Sequence, residues 1–186
     1  MRYLKDSKLS ISLASLNYRL SPRNQHPSHR EDVIAALEYL QKWGMKEFIL
    51  IGHSAGACLS FQAAYIEGCK GVIGAEGIYD LDGLVEEYPE YEFFVADAFG
   101  NDKATWREAS PVNLRYDSSS LLVQLVQSTG DELLSPRQTE LMQAKLQTTP
   151  VALQPISWIK GTHDASITTP EFFSIVKNFI TQLLPS

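Results

Sequence analysis

Residues 48–59, Phe-Ile-Leu-Ile-Gly-His-Ser-Ala-Gly-Ala-Cys-Leu, restrict the possible folds more than any other stretch of this chain. Four apolar residues read as a buried strand. They run into Gly-X-Ser-X-Gly, and a small-residue helical pattern follows. Such a strand–turn–helix junction forces the residue at its apex, Ser54, into a sharp, strained turn and lifts its hydroxyl to the top of a sheet. Gly52 and Gly56 are expected to let strand and helix approach without Cβ clashes. The backbone N–H of Ala55 then points to where an oxyanion would form. A chain built on this junction is expected to wind helices around a parallel sheet.

The flanking pattern agrees. Residues 9–18 alternate through Leu9, Ile11 and Leu13 and then reach Leu16, which predicts a strand. From about His29, Val33, Ala36, Leu37 and Leu40 share one helical face, and Gly44 ends that helix. After the Ser54 turn, Leu59, Ala63 and Ile66 line a second helix stopped by Gly68. Residues 71–78 read as a short buried strand. The order β-α-β-α-β argues a parallel sheet. Residues 79–112 break the rhythm with aromatics, including Tyr79, Tyr88, Tyr91, Phe93, Phe94 and Trp106, interleaved with acids. They read either as a lid or pocket-wall insertion or as surface helices whose aromatics are core. Residues 121–126 form the next strand. Ser135-Pro136 with Gln138 marks a helix start. Residues 151–159 give the last strand. Thr169-Pro170 opens a final helix carrying Phe172, Val176, Phe179, Ile180 and Leu183 on one face.

At 186 residues the chain is expected to form a single domain, 1–186, able to bury a real core. A net charge of −6 without a Lys/Arg block argues against a nucleic-acid partner. No apolar run reaches membrane-spanning length. The first eight residues lack the apolar segment of a signal peptide. Cys58 and Cys69 read as free thiols in a reducing compartment, hence a cytoplasmic expectation.

A serine hydroxyl needs a base to remove its proton. Ser54, Asp131 and His163 follow one another in that order, each just past the end of a predicted strand. That is the chain order of the α/β-hydrolase triad, and strand ends are where catalytic groups gather in open α/β sheets. His163 is expected to be the base and Asp131 its orienting acid, with Glu132, Asp80 and Asp164 as competitors for the acid. Among the other histidines, His26 and His29 are expected in a solvated loop, and His53 is expected to point away from the site.

Several motifs together resemble kynurenine formamidase (arylformamidase) of the fungal type, within the α/β-hydrolase superfamily. They are Asn17-Tyr18-Arg19-Leu20-Ser21-Pro22, Gly52-His53-Ser54-Ala55-Gly56-Ala57, Gly77-Ile78-Tyr79-Asp80, Val85-Glu86-Glu87-Tyr88-Pro89-Glu90-Tyr91, and Asp131-Glu132-Leu133-Leu134 with Arg137-Gln138-Thr139. The Val-Glu-Glu-Tyr-Pro-Glu-Tyr piece is the most distinctive. The resemblance implies a mostly parallel sheet flanked by helices. It also implies hydrolysis of N-formyl-L-kynurenine to L-kynurenine and formate, a step of tryptophan breakdown toward NAD. Nucleophile, acid and base would fall on Ser54, Asp131 and His163, with no metal or organic cofactor. Acids within 79–97 would face the substrate ammonium. A small molecule is the expected partner, and a homodimer is left open. A short-chain carboxylesterase of the same fold, or a hydrolase-like binding protein, are the alternative readings. The family's first strands and its His-Gly-Gly loop, source of a second oxyanion donor, have no counterpart in this sequence. The chain is therefore expected to start inside the helix after that loop. It is then expected either to re-pair the strand at 9–18 with the nucleophile strand or to leave an open sheet edge, with poor solubility and weak activity.

Overall fold

The computed structural model describes residues 11–184. Five parallel strands form its sheet. β1 (Phe48–His53) pairs with β2 (Cys69–Ala75), and β2 with β3 (Leu122–Ser128). β3 carries both β4 (Ala152–Leu153) and β5 (Ser157–Ile159) on its other edge. Strand residues alternate between two covered faces, so the central strands read as continuous apolar runs. On one face, α1 (Ser28–Lys42), α2 (Ala55–Ala63) and α6 (Arg137–Gln147) are joined to the sheet by Leu37, Phe61, Met142 and Leu146 against Leu50, Val72, Val123 and Leu125. On the other face, α8 (Pro170–Leu183) packs Phe172, Val176, Phe179 and Ile180 against Ile73, Ala75, Leu122 and Val126. The spacing of those four residues is one helical stripe. Thr169 caps α8, its Oγ1 accepting from the Phe172 N–H at 3.2 Å, and Pro170 occupies the first turn, where its missing N–H costs nothing.

Residues 79–112 fold into α3 (Leu81–Glu87), α4 (Glu92–Phe99) and α5 (Lys103–Ala109), with short 3₁₀ turns at Pro89–Tyr91 and Pro111–Asn113. They have a core of their own, built on Leu81, Leu84, Val95 and Trp106 and closed by Leu134. The aromatics of this unit are unequally covered. Trp106 is fully buried, whereas Phe93 is 70% exposed. Tyr88 and Tyr91 stack with centroids 5.1 Å apart. Gln138 of α6 ties this unit to the sheet. Its Oε1 accepts from the Tyr79 and Asp80 N–H groups at 2.8 Å each, and its Nε2 donates to the Asp80 carbonyl at 3.0 Å.

Two sequence expectations are corrected. The strand expected at 9–18 is absent over its described part, residues 11–18; Leu9 and Ser10 lie outside the described residues. Strand formation needs a ladder partner, and among the described residues no ladder is formed on the far edge of β1. Leu13, one of the alternating apolar positions, is exposed. The segment is held by side chains instead. Leu16 and Tyr18 rest on the α1/α2 side of the sheet, Ile11 on the α8 side, and Arg19 grips Asp32 of α1 bidentately at 2.8–3.1 Å. The last strand, expected across 151–159, is split into β4 and β5, which meet β3 at separate places. Pro155 lies in the interruption and has no N–H to give a ladder. Among the described residues no helix is long and apolar enough to cross a membrane.

Candidate active site

Ser54 stands between β1 and α2 with φ 54 and ψ −122. A non-glycine residue rarely adopts that conformation, and it persists only where the surroundings over-determine it. Here they do. The Ser54 N–H donates to the Ala75 carbonyl at 3.0 Å, and the Ser54 carbonyl accepts from Ala57 and Ile78. The two glycines of the motif are not equivalent. A Cβ on Gly52 would collide with the carbonyl of Gly56 and crowd Ser60 Oγ, whereas one on Gly56 would meet nothing within 4 Å. Room at the junction therefore comes from Gly52, and the expectation for Gly56 is corrected. Ala55 is exposed at the first position of α2, where backbone N–H groups have no partner inside the helix.

Asp131 and His163 meet. The His163 Nδ1 lies 2.9 Å from Asp131 Oδ2, with their side chains only 4% and 1% exposed. Because a carboxylate only accepts, Nδ1 carries a proton, and in a neutral imidazole that leaves the lone pair on Nε2. Asp131 is itself fixed by its loop. Its Oδ1 accepts from the Leu133 and Leu134 N–H groups at 2.9 Å each. Gln127 Nε2 reaches Oδ2 at 3.4 Å, while Thr139 Oγ1 donates to Gln127 Oε1 at 2.7 Å. His163 opens the short helix α7 (His163–Ser166), and its main-chain N–H donates to Glu132 Oε2 at 2.9 Å. Glu132 thus holds the backbone of His163, not its ring. Asp80 is engaged at the start of α3 and with Gln138, and Asp164 is exposed.

The other histidines depart from expectation. His53 does not point away: its ring lies 4.4 Å, centroid to centroid, from that of His163. Its Nε2 faces the His163 carbonyl at 3.1 Å and Glu76 Oε2 at 3.2 Å. His29 is buried in the first turn of α1 beside Tyr18, with its Nε2 3.1 Å from Ser21 Oγ. His26 is half-buried against Phe99. Burial, and then the charges of Arg30 and His29, push the His26 imidazole down to about 4.

Neither thiol is poised as a nucleophile. Burial alone pushes Cys58 up to about 12, and Cys69 goes up to about 11. Among the described residues, ligand-type atoms gather within 4.8 Å in two groups, His53–His163–Asp164 and Glu76–Asp131–His163. In the second, His163 and Asp131 already satisfy each other. The aromatic unit borders the site through its hydroxyls. Tyr91 donates to the Leu133 carbonyl at 3.1 Å, and the Ser135 N–H donates to the Tyr88 hydroxyl at 3.0 Å. Burial and the acids Glu90, Asp131 and Glu132 raise the Tyr91 phenol above its ordinary range.

Sequence reasoning missed Glu76, Gln127 and Ser166 as neighbours of this cluster. The available signal was a single acid, Glu76, at the end of the otherwise uncharged run 71–78.

A sequence model of the alpha/beta hydrolase fold matches residues 7–165. A kynurenine formamidase of Meyerozyma guilliermondii is 39% identical over 173 residues, covering 83% of this chain and 66% of the relative. One of Eremothecium gossypii is 33% identical over 167 residues, covering 78% of this chain and 68% of the relative. The chain thus spans about two thirds of the length of these curated relatives. A truncated carbohydrate esterase from gut microbiota superposes with a TM-score of 0.76 at 16% identity, covering 90% of this chain and 72% of that one. At that identity the likeness concerns the fold alone.

Proposed function

The chain belongs to the α/β-hydrolase fold family and, within it, to the kynurenine formamidases, and on that premise we propose that it hydrolyses N-formyl-L-kynurenine to L-kynurenine and formate. One observation carries the reading: the buried Asp131–His163 pair at 2.9 Å, on the same sheet end as the strained Ser54 turn. That pairing leaves the His163 Nε2 lone pair free to accept a proton.

The steps follow. Ser54 Oγ adds to the formyl carbon while its proton passes to His163 Nε2. The negative charge on the former carbonyl oxygen is met by the Ala55 N–H. The imidazolium is stabilised by Asp131, whose loop contacts keep it in place. The C–N bond then breaks, and the arylamine leaves with the proton from His163. Water, deprotonated by the same base, attacks the formyl ester and releases formate and the free serine. A formyl group is the smallest acyl group, so the acyl side of the site can be tight. The stacked Tyr88–Tyr91 pair, tied to the loop that bears Asp131, supports an aromatic wall for the aniline ring. Residues 79–112 act here as that pocket wall, within a single domain and with no cofactor. The small-molecule product enters tryptophan breakdown toward NAD, in the cytoplasm.

The alternative is a short-chain carboxylesterase. A substrate panel separates the two: formate release from N-formylkynurenine and other formyl-aryl amides, against cleavage of short p-nitrophenyl esters. Ester cleavage without formate release would reject the formamidase reading. Neither activity, together with no labelling of Ser54 by a fluorophosphonate, would leave a binding protein.

A further inference from the structure

Glu76 lies directly after β2 and combines three unfavourable features. Its φ is 46, in the region where side-chain-bearing residues are strained. It is fully buried, with 0% exposure. Its Oε1 is buried and accepts no hydrogen bond from any described residue. A buried carboxylate with an unsatisfied oxygen is expensive, and local rules broken together at one position point to function. The position supports this. One oxygen of Glu76, one of Asp131 and a ring nitrogen of His163 all lie within 4.8 Å of one another.

The satisfied oxygen, Oε2, accepts from Ser166 Oγ at 2.8 Å and from His53 Nε2 at 3.2 Å. The same two groups approach the carbonyl of His163, Ser166 Oγ at 3.2 Å and His53 Nε2 at 3.1 Å. Both neighbours of His53 Nε2 are acceptors, so that nitrogen carries the proton and shares it between them. Ser166 Oγ likewise has a single proton to share between Glu76 and that carbonyl, so two shared donors bridge Glu76 to the main chain of His163. Glu132 fixes the N–H of the same residue, and the His53 ring lies against its imidazole. Asp131 settles the tautomer of His163. Nothing in that pair settles where its backbone sits.

We propose that Glu76 is a positioning residue for the hydrolysis: with His53 and Ser166 it forms a buried clamp that holds the main chain of His163 so that Nε2 stays aimed at Ser54. The inference rests on the reading of His163 as the base. It assigns Glu76 no contact with substrate.

The test uses the full chain with Glu76→Gly, Glu76→Gln and Ser166→Ala. Glycine takes φ 46 without strain, so Glu76→Gly is expected to melt at or above the wild-type temperature. Its rate of Ser54 labelling by a fluorophosphonate should nevertheless fall between about ten- and a hundredfold, the loss that a small misplacement of a reacting group brings. With N-formylkynurenine, kcat should fall by the same factor and KM stay unchanged. Glu76→Gln keeps an acceptor for both donors and should retain most of the labelling rate. A folded Glu76→Gly protein labelled at the wild-type rate would overturn the clamp. If Glu76→Gly does not fold, Ser166→Ala decides: about a tenfold loss in kcat at constant KM supports the clamp, and wild-type kinetics reject it. A wild-type chain that is labelled but releases no formate fails the substrate reading and leaves the labelling comparison valid. A wild-type chain that is not labelled fails the serine reading. The NMR signal of the His163 Nδ1 proton then decides, since it should move in Glu76→Gly and in Ser166→Ala, and an unmoved signal in both would overturn the clamp.

Discussion

Asp131→Asn exchanges one oxygen for an amide nitrogen, and the surroundings dictate which one. Oδ1 of Asp131 accepts from two backbone N–H groups, those of Leu133 and Leu134, at 2.9 Å each. Two donors facing one position demand an oxygen there, so the Asn amide nitrogen must turn toward His163. An NH₂ facing Nδ1 can be accommodated only if His163 moves its ring proton from Nδ1 to Nε2. The imidazole then presents a proton to Ser54 and can no longer accept one. The same exchange in the serine-protease template lowers turnover by about 10⁴, equivalent to about 5 kcal/mol of transition-state stabilisation. Folding should suffer much less. The two loop hydrogen bonds lose their charge assistance, and Gln127 Nε2, 3.4 Å from the present Oδ2, would face an amide nitrogen. A total near 1 kcal/mol is expected, or about 2–4 °C in melting temperature for a chain of this size. The assay is initial-rate formate release alongside a thermal melt. A variant within tenfold of wild-type turnover would refute the tautomer argument, and with it the role given to Asp131.

Other outcomes follow from particular contacts. Gly52→Ala drives a methyl group into the Gly56 carbonyl; overpacking of this kind costs about 1–3 kcal/mol, and displacement of Ser54 should cut fluorophosphonate labelling about 10²-fold, so normal labelling would count against the junction geometry. Thr169→Ala removes the Oγ1 cap on the Phe172 N–H and should cost about 1 kcal/mol, read as a lower melting temperature at unchanged activity. The folded state holds the His26 imidazole down to about 4, against an ordinary 6.5. It therefore binds a proton more weakly than the unfolded chain, and stability present above pH 6.5 is lost as pH falls toward about 4. Because His26 is only half-buried, the loss is partial. Melting curves between pH 7 and pH 4 should show a shallower decline in His26→Gln, and parallel declines would refute the assignment.

A feature is legible in the sequence when the forces that set it are short in range. The Ser54 turn was legible because its determinants are local: an apolar run, a glycine whose Cβ position is occupied, and a helix that begins at once. The approach of Asp131 to His163 was legible because parallel strands bring their C-terminal ends to one side of a sheet, whatever the loops do. The strand expected at 9–18 was not decidable locally, since alternation states a preference and a ladder needs a neighbour. Pro155 is visible within 151–159, yet whether it bends a strand or divides one depends on how β3 meets each half. The direction of His53 is the feature least encoded locally. It is set by Glu76 and by the His163 carbonyl, 23 and 110 residues away, and no pattern around Gly52 encodes either. Glu76 itself was readable only as an anomaly, a charge at the end of a buried run.

In the proposed reaction Ser54 attacks the formyl carbon and carries the formyl group as an ester. Acid quenching of a reaction with N-formylkynurenine, followed by mass analysis of the peptide that contains Ser54, tests it directly. The wild-type peptide should gain the mass of one formyl group in place of a proton. The gain should rise in the pre-steady state, vanish when substrate is consumed, and be absent in Ser54→Ala, which should also lose turnover by about 10⁶. Formate release at the wild-type rate from Ser54→Ala, with no formylated peptide at any time, would show that Ser54 is not the nucleophile.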